Sequence, residues 1–217
     1  MVNISTEHYT WLFHMFSLLI KANPYRVDCN FEIEIILIKR RIKMLLINCS
    51  NREKNCFKIL NDIKADEDSL LSLANKKMSF CLGCDKCSEN LEKYCVLQDY
   101  ITEEVYEKII SEKDIVIASP MYMSNINAIL KNLIDRMNPF YHHRLLKDKN
   151  IYLILTGQAS EEDNNEEIEN IIRYFEGISE WLYFNFEFLE YFKGYNDLDT
   201  ETDYNKKINE IKQKLSK

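Results

Sequence analysis

The chain predicts an α/β domain: a parallel sheet wound with helices on both faces, in three layers. Three observations carry this. Short continuous apolar runs, Met44–Asn48, Asp114–Ser119 and Ile151–Thr156, read as strands buried on both faces. Segments with apolar residues at helical spacing lie between them. Alternation of the two implies parallel pairing with crossover helices. Such sheets bind ligands beyond the carboxyl ends of their strands, at the point where the strand order reverses. That singles out the segments 48–55, 120–125 and 156–160.

The elements follow in order. Met44–Asn48 is the first strand, and Cys56, Phe57, Leu60 and Ile63 mark the first helix. Leu70–Ala74 reads as a weaker strand. Asp99 or Thr102 caps a helix carrying Val105, Ile109 and Ile110. Asp114–Ser119 is a strand expected to stop at Pro120. Ile126, Ile129, Leu130, Leu133, Ile134 and Met137 predict one continuous helix. Ile151–Thr156 is the next strand, and Ile168, Ile171, Ile172, Phe175 and Leu182 mark a helix behind an acidic start. Glu187–Phe192 is the last strand, and Ile208, Ile211 and Leu215 belong to the closing helix. The aromatic stretch 181–192 is expected in the core or on a dimer face, and His142-His143 on the surface.

Residues 1–43 differ from the rest. They hold two apolar pieces, Trp11–Ile20 and Phe31–Ile38, and end in Lys39-Arg40-Arg41-Ile42-Lys43 before Met44. Codons AAA-AGG-AGG for the first three of these would contain a bacterial ribosome-binding site. Two readings stand: Met44 is the natural start and residues 1–43 are translated upstream sequence, or residues 1–43 form an N-terminal helix and strand that pack on the domain; in either, residues 1–43 are an extension and 44–217 form the domain. The gene's codons at 40 and 41 test this.

Composition excludes several classes. Of the 217 residues, 46% are hydrophobic and 29% charged, which supports a packed soluble core. With 4 Gly and 3 Pro, collagen-like and low-complexity architectures are out. A net charge of −7 argues against nucleic acid and against anionic membranes as partners. The run Trp11–Ile20 is shorter than the roughly 20 residues of a membrane span, and no cleavage site clearly follows it. The seven cysteines, four of them between 81 and 95, make a poor disulfide framework. They fit a reducing, cytoplasmic setting, where such a cluster serves metal or redox chemistry.

Three constellations carry chemistry. Cys81-x2-Cys84-x2-Cys87-x7-Cys95 wraps three thiolates around a tight loop and closes the set with a fourth, which suits a [4Fe–4S] cluster. Structural zinc usually takes two separated Cys-x2-Cys pairs. Zinc and metal-free redox thiols are the alternatives. The loop Asn48–Asn55 places Ser50, Arg52, Lys54 and Asn55 before a helix N-terminus, where a phosphate can meet backbone N–H groups. The segment Ser119-Pro120-Met121-Tyr122-Met123-Ser124-Asn125 leaves the best strand and offers flat or soft apolar surface to a planar ring.

Together these segments, from Met44 to about Gly194, resemble the flavodoxin-like NAD(P)H-dependent FMN reductases, and within them the iron–sulfur flavoproteins. In that family a Gly-Ser-Pro-Arg-type loop cradles the FMN phosphate, a Cys-x2-Cys-x2-Cys…Cys insertion follows, and a Ser-Pro-x-Tyr loop holds the isoalloxazine before a helix ending Ile-Asp-Arg. Here these are Asn48–Arg52, Cys81–Cys95, Ser119–Tyr122 and Ile134-Asp135-Arg136; Thr156-Gly157-Gln158 is similar to the third flavin loop. The resemblance implies a flavodoxin-like α/β/α fold with a five-stranded parallel sheet. It implies FMN held by Ser50, Arg52, Lys54, Asn55, Pro120–Asn125, Thr156 and Gly157, and metal held by Cys81, Cys84, Cys87 and Cys95. NAD(P)H would deliver hydride to the flavin, and electrons would leave to a small acceptor or a redox protein, in a homodimer or homotetramer. No side chain is assigned as acid or base.

The chain departs from the pattern where the family has its first glycine (Cys49), its proline (Asn51), and its second glycine and phosphate-binding hydroxyl (near Asn55-Cys56-Phe57). Each loss weakens the phosphate grip. The alternative function is therefore a non-catalytic metal-binding or redox-sensing protein on the same frame.

Overall fold

A computed structural model describes residues 43–89, 94–194, 198 and 203–216. The expectation for residues 1–43 lies, but for Lys43, outside these. Five parallel strands form one sheet: β1 (Met44–Asn48), β2 (Ser69–Ser72), β3 (Asp114–Tyr122), β5 (Asn150–Gly157) and β6 (Asn185–Lys193), in the order β2-β1-β3-β5-β6. A two-residue strand, β4 (Asn125–Ile126), turns back antiparallel onto β3. Among the described residues six α-helices accompany them: α1 (Asn55–Ile63), α2 (Tyr106–Ser111), α3 (Ala128–Asp135), α4 (Asn138–His143), α5 (Asn165–Leu182) and α6 (Tyr204–Leu215). This is the three-layer fold that the pattern predicts, in the flavodoxin-like form that the resemblance implies.

Pleating sorts β1 between two cores. Leu45 and Ile47 point to the layer built by α2, α3, α4 and α5, through Ile109, Leu133, Phe140 and Phe175. Met44 and Leu46 point to the opposite layer, where Ile59 and Leu60 of α1 meet Ile208 and Ile211 of α6. All five residues of β1 are buried, which is why it reads as an unbroken apolar run.

The structure corrects several boundaries. β3 runs through Pro120 to Tyr122 rather than stopping at the proline. The Ala118 carbonyl faces β1 and accepts from the Cys49 N–H at 2.9 Å. Two residues on, Pro120 faces the same side beyond the end of β1, so its missing N–H breaks no ladder bond. The helix expected over 126–137 is divided. Ile126 belongs to β4, Asn127 caps α3 by accepting from the Leu130 N–H at 2.9 Å, and Pro139 sits in the first turn of α4. β2 is shorter than expected and β6 longer. Asp99 is the cap before residue 101, its Oδ1 accepting from the Ile101 N–H, and the chain enters α2 through a π-helical turn at Ile101–Val105.

No helix among the described residues is long and apolar enough to cross a membrane.

Candidate functional site

The strand order reverses between β1 and β3, and a cavity of about 240 Å³ opens there. Three loops line it. The first gives Ser50, Arg52, Lys54, Asn55 and Cys56; the second Pro120, Met121 and Tyr122; the third Thr156, Gly157 and Gln158, with Gly194 beside them. Nine of the twelve expected cofactor-binding residues thus meet in one place. Met123, Ser124 and Asn125 do not line it. Met123 is 98% exposed. The Ser124 hydroxyl reaches Glu167 Oε1 at 3.4 Å, and Asn125 Oδ1 accepts from the Ile126 N–H. These three form the tip of the β3–β4 hairpin. Met123 and Ser124 have φ of 50° and 61°, the left-handed pair of a type I′ turn.

The polar end of the cavity is a helix start. The first helical bond of α1 runs from the Lys58 N–H to the Lys54 carbonyl, so the N–H groups of residues 55–57 lack intrahelical acceptors. The Ser50 hydroxyl accepts from the Arg52 N–H at 3.2 Å and shapes the loop, and Asn55 Nδ2 donates to the Gly194 carbonyl at 3.1 Å. A Cβ on Gly194 would stand 2.7 Å from Asn55 Nδ2, and one on Gly157 would stand 2.2 Å from Tyr191 Oη. Both glycines keep the walls close. Cys56 occupies the place of the missing hydroxyl, its Sγ 3.5 Å from Thr156 Oγ1. Burial pushes its thiol up to about 12, against the smaller opposing effects of Thr156 and Arg52, so it is neutral at pH 7. The Cys49 side chain turns away into the core. The site therefore keeps helix N–H groups and two cations suited to a phosphate. Tyr122, 42% exposed, stands at its rim.

All four expected metal ligands line a second cavity of about 240 Å³, with Leu82, Asp85, Val96, Asp135, Arg136 and Asn138 among its walls. Left-handed residues Gly83 and Asp85, with φ of 60° and 56°, turn the chain between successive cysteines. The Gly83 N–H faces Cys81 Sγ at 3.5 Å, and Asn138 Nδ2 donates to Cys87 Sγ at 3.0 Å. The six described cysteines are free thiols. Their four cavity sulfurs do not draw within 4.8 Å of one another as one shared ion would require. The ligand sulfurs of a cubane stand farther apart than those of a single zinc ion, whose bonds are about 2.3 Å long.

Sequence reasoning missed three features. His142 is at the surface as expected, but Asp85, Cys87 and His142 place their ligand atoms within 4.8 Å, and His143 Nε2 lies 3.2 Å from the Cys87 carbonyl. Their separation of over fifty positions hid this. Arg136, noted as part of a motif, turns out to be buried against Cys95 with its Nη2 3.6 Å from Sγ. Asp99, read as a cap, also holds that arginine at 2.6 Å. Of the aromatic stretch, Phe184, Tyr191 and Phe192 are core, whereas Trp181 is 70% exposed.

A flavodoxin-like sheet with a phosphate-suited helix start and a ring-suited rim at its switch point defines a class of mononucleotide-binding α/β proteins. The chain belongs to the NADPH-dependent FMN reductase family, whose sequence profile matches residues 42–175. It is similar to an iron–sulfur flavoprotein of Archaeoglobus fulgidus, 37% identical over 78 residues, covering 36% of this chain and 34% of that protein. It is also similar to an iron–sulfur flavoprotein of Methanocaldococcus jannaschii, 40% identical over 73 residues, covering 34% of this chain and 36% of the relative. The matched stretch thus spans about a third of these relatives. Among solved structures, the flavodoxin, WrbA-like protein from Agrobacterium tumefaciens superposes with a TM-score of 0.55 at 9% identity, covering 81% of this chain and 95% of that one.

Proposed function

We propose that this chain is a flavin-dependent oxidoreductase that binds FMN at the β1/β3 switch point, takes hydride from NADH or NADPH, and passes electrons to a small acceptor or a redox protein. A [4Fe–4S] cluster at Cys81, Cys84, Cys87 and Cys95 and a homo-oligomeric state in a cytoplasmic setting belong to the same reading. The observation that carries it is the convergence of Ser50–Cys56, Pro120–Tyr122 and Thr156–Gln158 on one cavity. When bound, the flavin supplies the chemistry that couples two-electron and one-electron transfer.

The residues divide the work. Arg52 and Lys54 neutralise a phosphate, and the N–H groups at the start of α1 receive its oxygens. The Ser50 hydroxyl fixes the loop. The cavity is below the usual 300–1,000 Å³ of a ligand pocket, so it takes the phosphate end while the ring rests on the rim at Tyr122. Gly157 and Gly194 hold the remaining walls close. Cys56, neutral and tied to Thr156, adds no repulsion against an anion.

A visible spectrum of anaerobically purified protein tests the reading. Flavin bands with a broad iron–sulfur shoulder, both bleached by NAD(P)H, are expected. Cluster absorbance without flavin would favour the redox-sensing alternative. Flavin bands bleached by dithionite but not by NAD(P)H would leave an electron carrier without nicotinamide activity.

A further inference from the structure

We propose that Arg136 is a positioning residue for the cysteine-held cluster: anchored by Asp99, its guanidinium fixes Cys95 and sets the potential at which the cluster is reduced. This rests on the reading that the four cysteines hold an iron–sulfur cluster.

The Arg136 side chain is 0% exposed, a rare placement for a full charge unless it is paired. Its fork is committed on one side. Nη1 donates to Asp99 Oδ2 at 2.6 Å and to the Ser79 carbonyl at 3.1 Å. The Tyr106 hydroxyl donates to the Arg136 carbonyl, and Asn132 Nδ2 donates to the same Ser79 carbonyl, so the backbone at the end of α3 is also held. On the other side Nη2 donates to Cys95 Sγ at 3.6 Å. The Nε–H, although buried, has no partner among the described residues. A buried donor without an acceptor requires an explanation.

The cavity beside the guanidinium is a second observation. Arg136 lines it together with all four cysteines. The other charged side chains among its described lining residues are Asp85 and Asp135, both carboxylates. Arg136 is therefore the cation of this wall. A cluster ligated by four thiolates is a net anion, and reduction adds a further negative charge. A fixed cation that also donates to a ligand sulfur stabilises the reduced form more than the oxidised one. Asp99 carries the opposite charge but is bonded to Nη1, which leaves Nη2 to face the sulfur. An arginine that served only as a structural strut would have no reason to turn an N–H toward a thiol and leave another unmatched.

The test uses the full chain, reconstituted anaerobically with ferrous iron and sulfide, as wild type, Arg136→Lys and the charge-neutral pair Arg136→Gln with Asp99→Asn. The pair avoids stranding a buried carboxylate. The reduced cluster is followed by electron paramagnetic resonance during a potentiometric titration, which separates it from any flavin signal. The midpoint is expected to move to more negative potential in both variants, and further in the neutral pair than in Arg136→Lys. Variants that load the cluster and titrate at the wild-type potential would overturn the proposal. Should the pair fail to fold, Arg136→Lys decides alone: a negative shift supports the role and an unchanged midpoint removes it. A wild-type chain that takes up no iron and sulfide would sink the cluster reading itself, and this role with it.

Discussion

Gly157 packs against the Tyr191 side chain so closely that a Cβ would come within 2.2 Å of the hydroxyl and 3.0 Å of two ring carbons. The hydroxyl is not free to move. It donates to the Ala159 carbonyl at 2.7 Å and accepts from Asn164 Nδ2 at 3.0 Å. Tyr191 is buried in β6, and Gly157 closes β5 at the wall of the switch-point cavity. One contact thus joins the core to the third loop.

Gly157→Ala is therefore expected to destabilise the domain by about 1–3 kcal/mol, the usual cost of overpacking. Differential scanning calorimetry should show a melting point lower by roughly 2–10 °C. Adding Tyr191→Phe, which removes the clashing oxygen, should recover part of that loss, so the double variant lies above the sum of the two singles.

The Asp99–Arg136 pair predicts acid sensitivity. Burial alone would raise the Asp99 carboxyl, but hydrogen bonds from Arg136 and the Ser79 N–H outweigh it and hold the group below its usual range. A carboxylate with a depressed folded value contributes stability above its unfolded value, near 3.9, and loses it as pH falls through the folded value. Urea midpoints should be flat in this respect above about pH 5 and fall below it. In Asp99→Asn that acid decline should be smaller, while stability at pH 7 drops by about 3–5 kcal/mol from the stranded buried guanidinium.

How much of this was legible in the chain depended on range. Met44–Asn48 and Asp114–Ser119 were readable because a strand buried on both faces is apolar at nearly every position. The cofactor loops were readable because they sit where such strands end. The hairpin was not. Met123-Ser124 lacks the Asn-Gly signature of a type I′ turn, and the apolar spacing from Ile126 onward matched a helix that the Asn127 cap starts later. Pro120 misled because its tolerance depends on β1 ending two residues earlier, which only the pairing register shows. Arg136 and His142 carry no local mark of their nearness to the cysteine segment, since 41 to 57 positions separate them from their partners there, and 37 positions separate Arg136 from Asp99.

The hairpin tip predicts a stabilising exchange. Two residues with side chains hold φ of 50° and 61° at Met123 and Ser124, a conformation that Asn and Gly adopt at lower cost. Met123→Asn with Ser124→Gly should raise stability by about 0.5–1 kcal/mol in chemical denaturation. A concurrent loss of FMN affinity would show that the exposed Met123 contributes to the ring's surroundings.

Arg52 and Lys54 predict a preference that riboflavin cannot satisfy. If they neutralise a phosphate, wild type should bind FMN more tightly than riboflavin. In Arg52→Gln with Lys54→Gln that preference should shrink by roughly 10-fold or more, while riboflavin affinity stays the same. Parallel calorimetric titrations with the two ligands measure it.

The account stands on FMN lodging where the three loops meet, and a titration of the full chain with FMN, read by quenching of flavin emission and by the melting point, addresses this most directly. A saturable quench at one flavin per chain, a melting point that climbs with ligand concentration, and a loss of both in Tyr122→Ala are the predicted results. Unquenched flavin and an unmoved melting point at saturating FMN would contradict it.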